Sequence, residues 1–351
     1  MKKIATITFH WAKNYGAVLQ AYALQKYLEK AGYETEIINY LPARTMVLNF
    51  IAAAKKGDKA FFRKIGQFKE FRKTELKISK KRYFNNKALL RCKDKYSAII
   101  TGSDQVWNMS FTKKAEGKPT LSYFLNFAGD NTKKISYATS FGASKLDQQM
   151  IDLISPELEK FSAISVRENS GADIIADMGF KCQTVVDPTL LLEAQDYLSL
   201  LEEKNVPCED EVFTYIIHSN QKAAEQTGRY VTAKLAGESA KFEPSKNCDV
   251  YEWLSGIKNA KYVVTNSFHG TVFGLIFHKP FVCVAIPGSG MNDRLVTLLD
   301  SVGLSKRFTE GFNEAEINEL LDKNIDWDLV DTKLKELKEA SKSFLTEALN
   351  N

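Results

Sequence analysis

At 351 residues the chain is too long for one ordinary hydrophobic core, so two domains are expected. Apolar residues at 44% and charged residues at 26% exclude a disordered chain, and a net charge of +5 is too small to point by itself to nucleic acid. Cys92, Cys182, Cys208, Cys248 and Cys283 stand singly with no CxxC pair, which argues against a disulfide framework or zinc centre and for a reducing, cytoplasmic compartment.

Residues 3–9 (KIATITF) read as a first strand, because the apolar run is broken by His10 and is shorter than a leader's core. A helix follows over 16–30, with Gly32 placed to end it, and then a strand over 34–40. From Lys55 to Lys95 the rhythm breaks. Sixteen Lys/Arg accompany four Asp/Glu there, so this segment is +12 and the rest of the chain about −7. Phe61, Phe62, Ile65, Phe68 and Phe71 recur in it at helical spacing. Two readings stay open: a helix that packs its phenylalanines on the first domain, or a basic aromatic surface contacting anionic lipid at the inner face of a membrane. No nucleic-acid motif accompanies the charge.

Strands at 97–101, 134–140, 163–167 and 183–187, with helices at 147–160 and 169–179, give the pattern of a parallel sheet covered on both faces. Asp187-Pro188 closes this half. The pattern restarts with a helix at 194–204, a strand at 211–218, helices at 220–236 and 249–260, and a strand at 262–266. A helix from 269, a strand at 281–286, a helix at 292–302 and a long polar helix over 327–349 complete it. The expected fold class is α/β. A first Rossmann-like domain covers 1–188 with a basic helical insertion at about 50–95, a second covers 189–326, and a C-terminal helix covers 327–351.

In open parallel sheets, ligands bind beyond the carboxyl ends of the strands, so polar residues there are the site candidates. Asn14 can cap the first helix, and Tyr15-Gly16 opens it where an anion is favoured. This is not GxGxxG, so no dinucleotide is implied. Gly102-Ser103-Asp104 offers amides, a hydroxyl and a carboxylate in one turn. Arg167 ends a strand as a forked donor for carboxylate or phosphate, unless it pairs with Glu168. In YVVTNSFHG (262–270), Asn266 and Ser267 end a strand, and Gly270 stands where a helix begins. His269 lies on that helix's first turn, suited to exchange a proton beside an anion. His218 also ends a strand and is a lesser candidate. Asn292 and Arg294 follow a Gly-rich turn at a helix start, with Lys306 and Arg307 downstream. No metal cluster is visible.

The segments NYGAVLQAYALQ (14–25), GSDQVW (102–107), SYATSFG (136–142), SVREN (165–169), VVDPTLLL (185–192), VVTNSFHGTVFGLIF (263–277) and NDRL (292–295) resemble, in that order, the polysaccharide pyruvyl transferase family. The resemblance implies two Rossmann-like domains facing across a cleft, as in GT-B glycosyltransferases. It implies phosphoenolpyruvate as donor substrate with no cofactor or metal, and a sugar hydroxyl pair as acceptor, whether lipid-linked, nucleotide-linked or a finished glycan. The product is a pyruvate ketal, with phosphate released. It further implies that Arg167 and His269 meet phosphoenolpyruvate. One member of the family has arginine two places before this histidine. Ser267 stands there here, so donor contacts pass to Arg294, Lys306 or Arg307. Asp104 is the candidate to accept a hydroxyl proton. Two other functions fit the same plan: a GT-B glycosyltransferase with Asp293 on the ribose of a nucleotide sugar, and a non-catalytic sugar- or anion-binding protein.

Overall fold

The computed structural model describes residues 3–56, 59–202, 211–217, 221–244 and 248–350, and the side chains of 49–50 and 52–61 are not among what it describes. His218, Cys208 and the side chain of Phe61 therefore lie outside the described residues. Two compact units are present: Met1–Leu191 with Leu337–Asn351, and Leu192–Glu336.

The first unit is built on β1 (Ile4–Ile7), whose four residues are all buried, as in a strand covered on both faces. After it come α1 (Tyr15–Lys30), β2 (Thr35–Tyr40), α2 (Ala43–Lys56), α3 (Lys59–Glu75), β3 (Ile78–Tyr83), α4 (Asn86–Leu89), β4 (Ala98–Thr101), α5 (Met109–Glu116), β5 (Lys133–Ser136), α6 (Gln148–Leu158), β6 (Ser165–Val166), α7 (Asn169–Asp177) and β7 (Gln183–Thr184). The five-stranded sheet is parallel, in the order β3-β2-β1-β4-β5, and β6 and β7 form a parallel pair beside it. The chain leaves β1 toward β2 and returns to β4 on the other side. The sheet's switch point therefore lies between β1 and β4, where the loops after both strands diverge and ligands bind in such sheets. Gly32, at φ +88, ends α1 as expected.

The basic segment is more structured than one helix. Phe68 and Phe71 of α3 are buried against Tyr15 and Tyr22 of α1, with ring centroids 5.2 and 6.1 Å apart, while Phe62 is 50% exposed. β3 is absent from the sequence-based expectation. It is an edge strand with Lys80, Lys81 and Arg82 exposed, and charge of this kind protects a sheet edge from pairing with another chain. α3 also carries Gly66 in its interior with no atom within 4 Å of where a Cβ would stand. Gly66→Ala is expected to raise stability by about 0.5–1 kcal/mol, read as a higher thermal midpoint; a lowered midpoint would show a hidden neighbour at this position.

The second unit contains α8 (Ala194–Glu202), β8 (Val212–Tyr215), α9 (Lys222–Ala236), α10 (Val250–Asn259), β9 (Tyr262–Thr265), α11 (Phe268–Ile276), β10 (Phe281–Val284), α12 (Asp293–Ser301), β11 (Phe308–Thr309) and α13 (Glu314–Asp322). Its sheet is parallel in the order β11-β10-β9-β8. β9 and β10 are buried at every residue, as expected for central strands with helices on both faces. The expected C-terminal helix is α14 (Trp327–Asn350), whose residues from Leu337 onward count with the first unit. There Ser341 Oγ accepts a hydrogen bond from Val186 N at 3.0 Å, and Lys133 Nζ donates to Leu349 O at 2.8 Å. Among the described residues no helix is long and apolar enough to cross a membrane.

Candidate active site

At the first unit's switch point a closed hydrogen-bond circuit joins β1, α1 and the turn after β4. Thr8 Oγ1 donates to Ser103 O at 2.9 Å, and Ser103 N donates to Gln20 Oε1 at 3.0 Å. Gln20 Nε2 donates back to Thr8 Oγ1 at 2.9 Å and to Ala17 O at 2.8 Å. Ser103 Oγ, fully buried, stands 2.9 Å from both Ala138 O and Asp187 Oδ2. Gly102 has φ +115, and a Cβ there would run into the Tyr137 carbonyl oxygen, so glycine is required by the turn itself. Asn14 caps α1, its Oδ1 accepting from Ala17 N at 3.1 Å. Tyr15 is 1% exposed and packs on α3, so the expectation of a substrate contact gives way to helix packing. Asp104 is half-buried at φ +79, and its Oδ1 accepts from Gln105 N at 2.8 Å.

Arg167 is where the structure departs most from the expected anion clamp. Its side chain is 1% exposed, and Nη1 donates to Asp187 Oδ2 at 2.9 Å. Glu168 Oε2 lies 3.8 Å from Nε. Burial alone would lower the guanidinium's pKa, but the carboxylates of Asp187, Glu168 and Asp104 outweigh it and hold the group above its ordinary value. Asp187 Oδ1 in turn accepts from Thr189 N at 3.0 Å and Thr189 Oγ1 at 2.7 Å. Arg167 thus balances buried carboxylates and holds the Ser103 turn.

In the second unit the candidates gather at the carboxyl ends of β8, β9 and β10. Asn266 holds both backbone groups of one residue, accepting from Ile217 N at 2.7 Å and donating to Ile217 O at 2.9 Å. Asn292 does the same to Ile286, at 3.0 and 2.9 Å. Ser267 caps α11, accepting from Gly270 N at 3.4 Å. A Cβ on Gly270 would come within 2.5 Å of Thr265 Oγ1, which itself donates to Tyr215 O at 2.6 Å. The parts found for Asn266, Ser267, Gly270 and Asn292 are architectural: they shape the strand ends that carry the next two residues.

Those residues are His269 and Arg294. His269 lies on the first turn of α11, 7% exposed, its ring edge-on to Phe268 at 5.2 Å. Arg294, 8% exposed near the start of α12, places its Cζ 5.5 Å from the centroid of that same Phe268 ring. An imidazole on the first turn of a nine-residue helix and a guanidinium from the next helix thus flank one ring, beyond the carboxyl ends of β9 and β10, and a helix amino end with a nearby guanidinium favours an anion. Cys283 on the neighbouring strand takes no part as a nucleophile, since burial pushes its thiol up to about 12.

Arg307 does not join this group. It is 3% exposed, and Nη1 donates to Tyr262 Oη, Phe281 O and Leu320 O at 3.1, 3.3 and 2.9 Å, with Nη2 on Lys323 O at 2.5 Å. Tyr262 and Phe281 are the first residues of β9 and β10, so Arg307 serves the amino edge of the sheet, away from the strand ends that hold His269. Lys306 is exposed. Gln20, Thr8 and Thr189 were not foreseen, because a buried polar circuit leaves no mark in hydrophobic periodicity. Among the described residues no group of three His, Cys, Asp or Glu is arranged to hold a metal ion.

The chain matches the family model described as polysaccharide pyruvyl transferase over residues 14–287. No curated protein matches it. Its fold is similar to solved two-domain α/β enzymes. MnaA of S. aureus, in a co-structure with UDP, aligns with TM-score 0.53 at 14% identity, covering 100% of this chain and 97% of that one. UDP-GlcNAc 2-epimerase from Neisseria meningitidis, bound to UDP-GlcNAc, aligns with TM-score 0.53 at 10% identity over all of both chains. The 2-epimerase from Methanocaldococcus jannaschii aligns with TM-score 0.52 at 11% identity, over 92% of this chain and 93% of that one. At these identities the likeness is one of fold, α/β and GT-B-like.

Proposed function

Since the chain belongs to the polysaccharide pyruvyl transferase family, we propose that it moves the enolpyruvyl group of phosphoenolpyruvate onto a pair of sugar hydroxyls, closing a pyruvate ketal and releasing phosphate. The observation that carries this reading is that His269, on the first turn of α11, and Arg294 both lie against the Phe268 ring in the second unit. Phosphoenolpyruvate is an enol ether bearing phosphate and carboxylate, so its site needs a proton donor beside fixed positive charge.

The steps balance as follows. His269 delivers a proton to C3, turning the methylene into a methyl and leaving an oxocarbenium-like C2. One sugar hydroxyl adds to C2 and loses its proton to water. The C2–O bond to phosphate breaks, the second hydroxyl adds, and its proton leaves with the phosphate. Arg294 and the first-turn amides of α11 balance the donor's charge. In the first unit Arg167, with Asp187, holds the Ser103 turn.

Turnover in D2O tests the scheme. Phosphate release should depend on the acceptor, and the ketal methyl should carry one deuterium by mass spectrometry. Release of pyruvate alone, whatever acceptor is offered, would defeat the reading. Fold alone suits a nucleotide-sugar enzyme equally well, and thermal stabilisation by UDP-GlcNAc without any by phosphoenolpyruvate would select that alternative.

A further inference from the structure

A pocket of about 690 Å³ lies in the first unit, walled by the loop after β1, by β2 and β3, and by α2 and α3. Lys13, Lys69, Arg72, Lys73, Lys80 and Arg82 line it, and among the described residues no aspartate or glutamate does. His10 sits among them, 2% exposed. Burial leads the shifts of the pocket's own groups, and neighbouring cations add to it at Lys13 and His10. Burial, with Lys64 and Arg72 adding to it, pulls Lys13 down to about 8. Burial also takes His10 down to about 4 against its bond to Thr8 O, with Arg72 and Arg82 pushing the same way, and takes Arg72 down to about 10. A bound polyanion would relieve all three.

The rest of the wall is apolar, with Trp11, Leu41, Met46 and Ile65 beside the cations. Met46 is itself 39% exposed and continues into an apolar face of α2: Val47 is 56% exposed, Leu48 42% and Ile51 43%. Contiguous apolar exposure beside a basic pocket is unusual on a protein surface unless something apolar covers it. A free phosphate or a nucleoside diphosphate would use the cations and leave this face bare.

We infer that this pocket binds the diphosphate of a lipid-linked sugar acceptor, with the exposed face of α2 seated against the lipid chain. Naming the ligand an acceptor rests on the pyruvyl-transfer reading; the diphosphate contact does not. The pocket's size is that of a site for a diphosphate with its first sugar or isoprene unit, well beyond what one phosphate fills.

Titration of the full-length chain with inorganic pyrophosphate, without phosphoenolpyruvate, tests the pocket. Saturable binding is expected. Arg72→Gln and Arg82→Gln should each weaken it at least tenfold while leaving thermal stabilisation by phosphoenolpyruvate in place. Arg72 also donates to Trp11 O at 3.4 Å, so Arg82, on the exposed edge strand, supplies the variant least able to disturb folding. Phosphatidylcholine vesicles carrying a polyisoprenyl diphosphate should capture the chain, and Val47→Ser with Ile51→Ser should abolish capture without changing pyrophosphate affinity. No pyrophosphate binding, or binding that survives both arginine variants, would overturn the site. Binding of UDP as tight as pyrophosphate, with no vesicle capture, would overturn the lipid carrier. Pyrophosphate and vesicle binding in a chain that transfers no pyruvyl group would uphold the site and refute the reaction.

Discussion

Asp187→Ala is expected to destabilise the first unit by about 3–5 kcal/mol, a large share of the roughly 5–15 kcal/mol that holds a domain folded. The reason is the Arg167 guanidinium. Its side chain is 1% exposed, and Asp187, 0% exposed, is the carboxylate 2.9 Å from it. Removing the carboxylate takes from the buried guanidinium the charge closest to it, and takes the acceptor from Thr189 N and Oγ1. Asp187→Asn should recover part of the loss, because it restores an acceptor for Thr189 without restoring the charge. Arg167→Met should also destabilise, since it strands Asp187 and Glu168 together. Hydrogen exchange of β1 and β4 amides, which belong to this unit, reads the effect directly. If Arg167→Met left that protection intact and lowered only transfer activity, the arginine would be an anion clamp after all, and the structural account of it would fall.

That contrast marks where the sequence is legible. β1, β4 and β9 are runs of β-branched and apolar residues, β4 lying between Ser97 and Gly102 and β9 followed by Asn266, and each lies within a strand expected from that pattern. The start of α11 is legible too, because Ser267 and Gly270 have the spacing of a cap and its first-turn amide. β3 was not, since Ser-Lys-Lys-Arg resembles a solvated face; only pairing with β2 makes it a strand. For the same reason the basic pocket stayed hidden: Lys80 and Arg82 stand near His10 only once β3 is laid beside β2 and β2 beside β1. The strand expected over 134–140 stops at Ser136, and Ala138 at φ +49 turns the chain away from sheet geometry.

Side-chain partners are harder to read than elements, because they depend on residues far apart in the chain. Arg167 and Asp187 are twenty residues apart and share one buried charge balance. Arg307 precedes β11, and its donors meet carbonyls at the amino edge of the sheet. Asn266 was expected at a strand end and Asn292 at a helix start, and both are found there. An asparagine so placed has two uses, however, and here each spends both hydrogen-bonding groups on the backbone N–H and C=O of one residue. The sequence marked the positions correctly and could not tell a ligand contact from a backbone clamp.

The remaining large effect is at His269. Replacement by glutamine is expected to lower kcat for pyruvyl transfer roughly 100- to 10,000-fold, the range that general acid catalysis supplies. KM for phosphoenolpyruvate should change little, because the substitution leaves in place the anion contacts proposed above, Arg294 and the amino end of α11. Glutamine is close in size and polarity to the imidazole it replaces, so stability should fall by no more than about 1–2 kcal/mol. Arg294→Lys should behave the opposite way. It keeps the charge but loses the planar fork and the stacking over Phe268, so KM should rise while kcat falls less. The two variants together separate proton delivery from anion binding at a single strand end. Equal loss of kcat in both would merge the roles, and an unchanged kcat in His269→Gln would remove the imidazole from the chemistry and return the proton to water or to another acid.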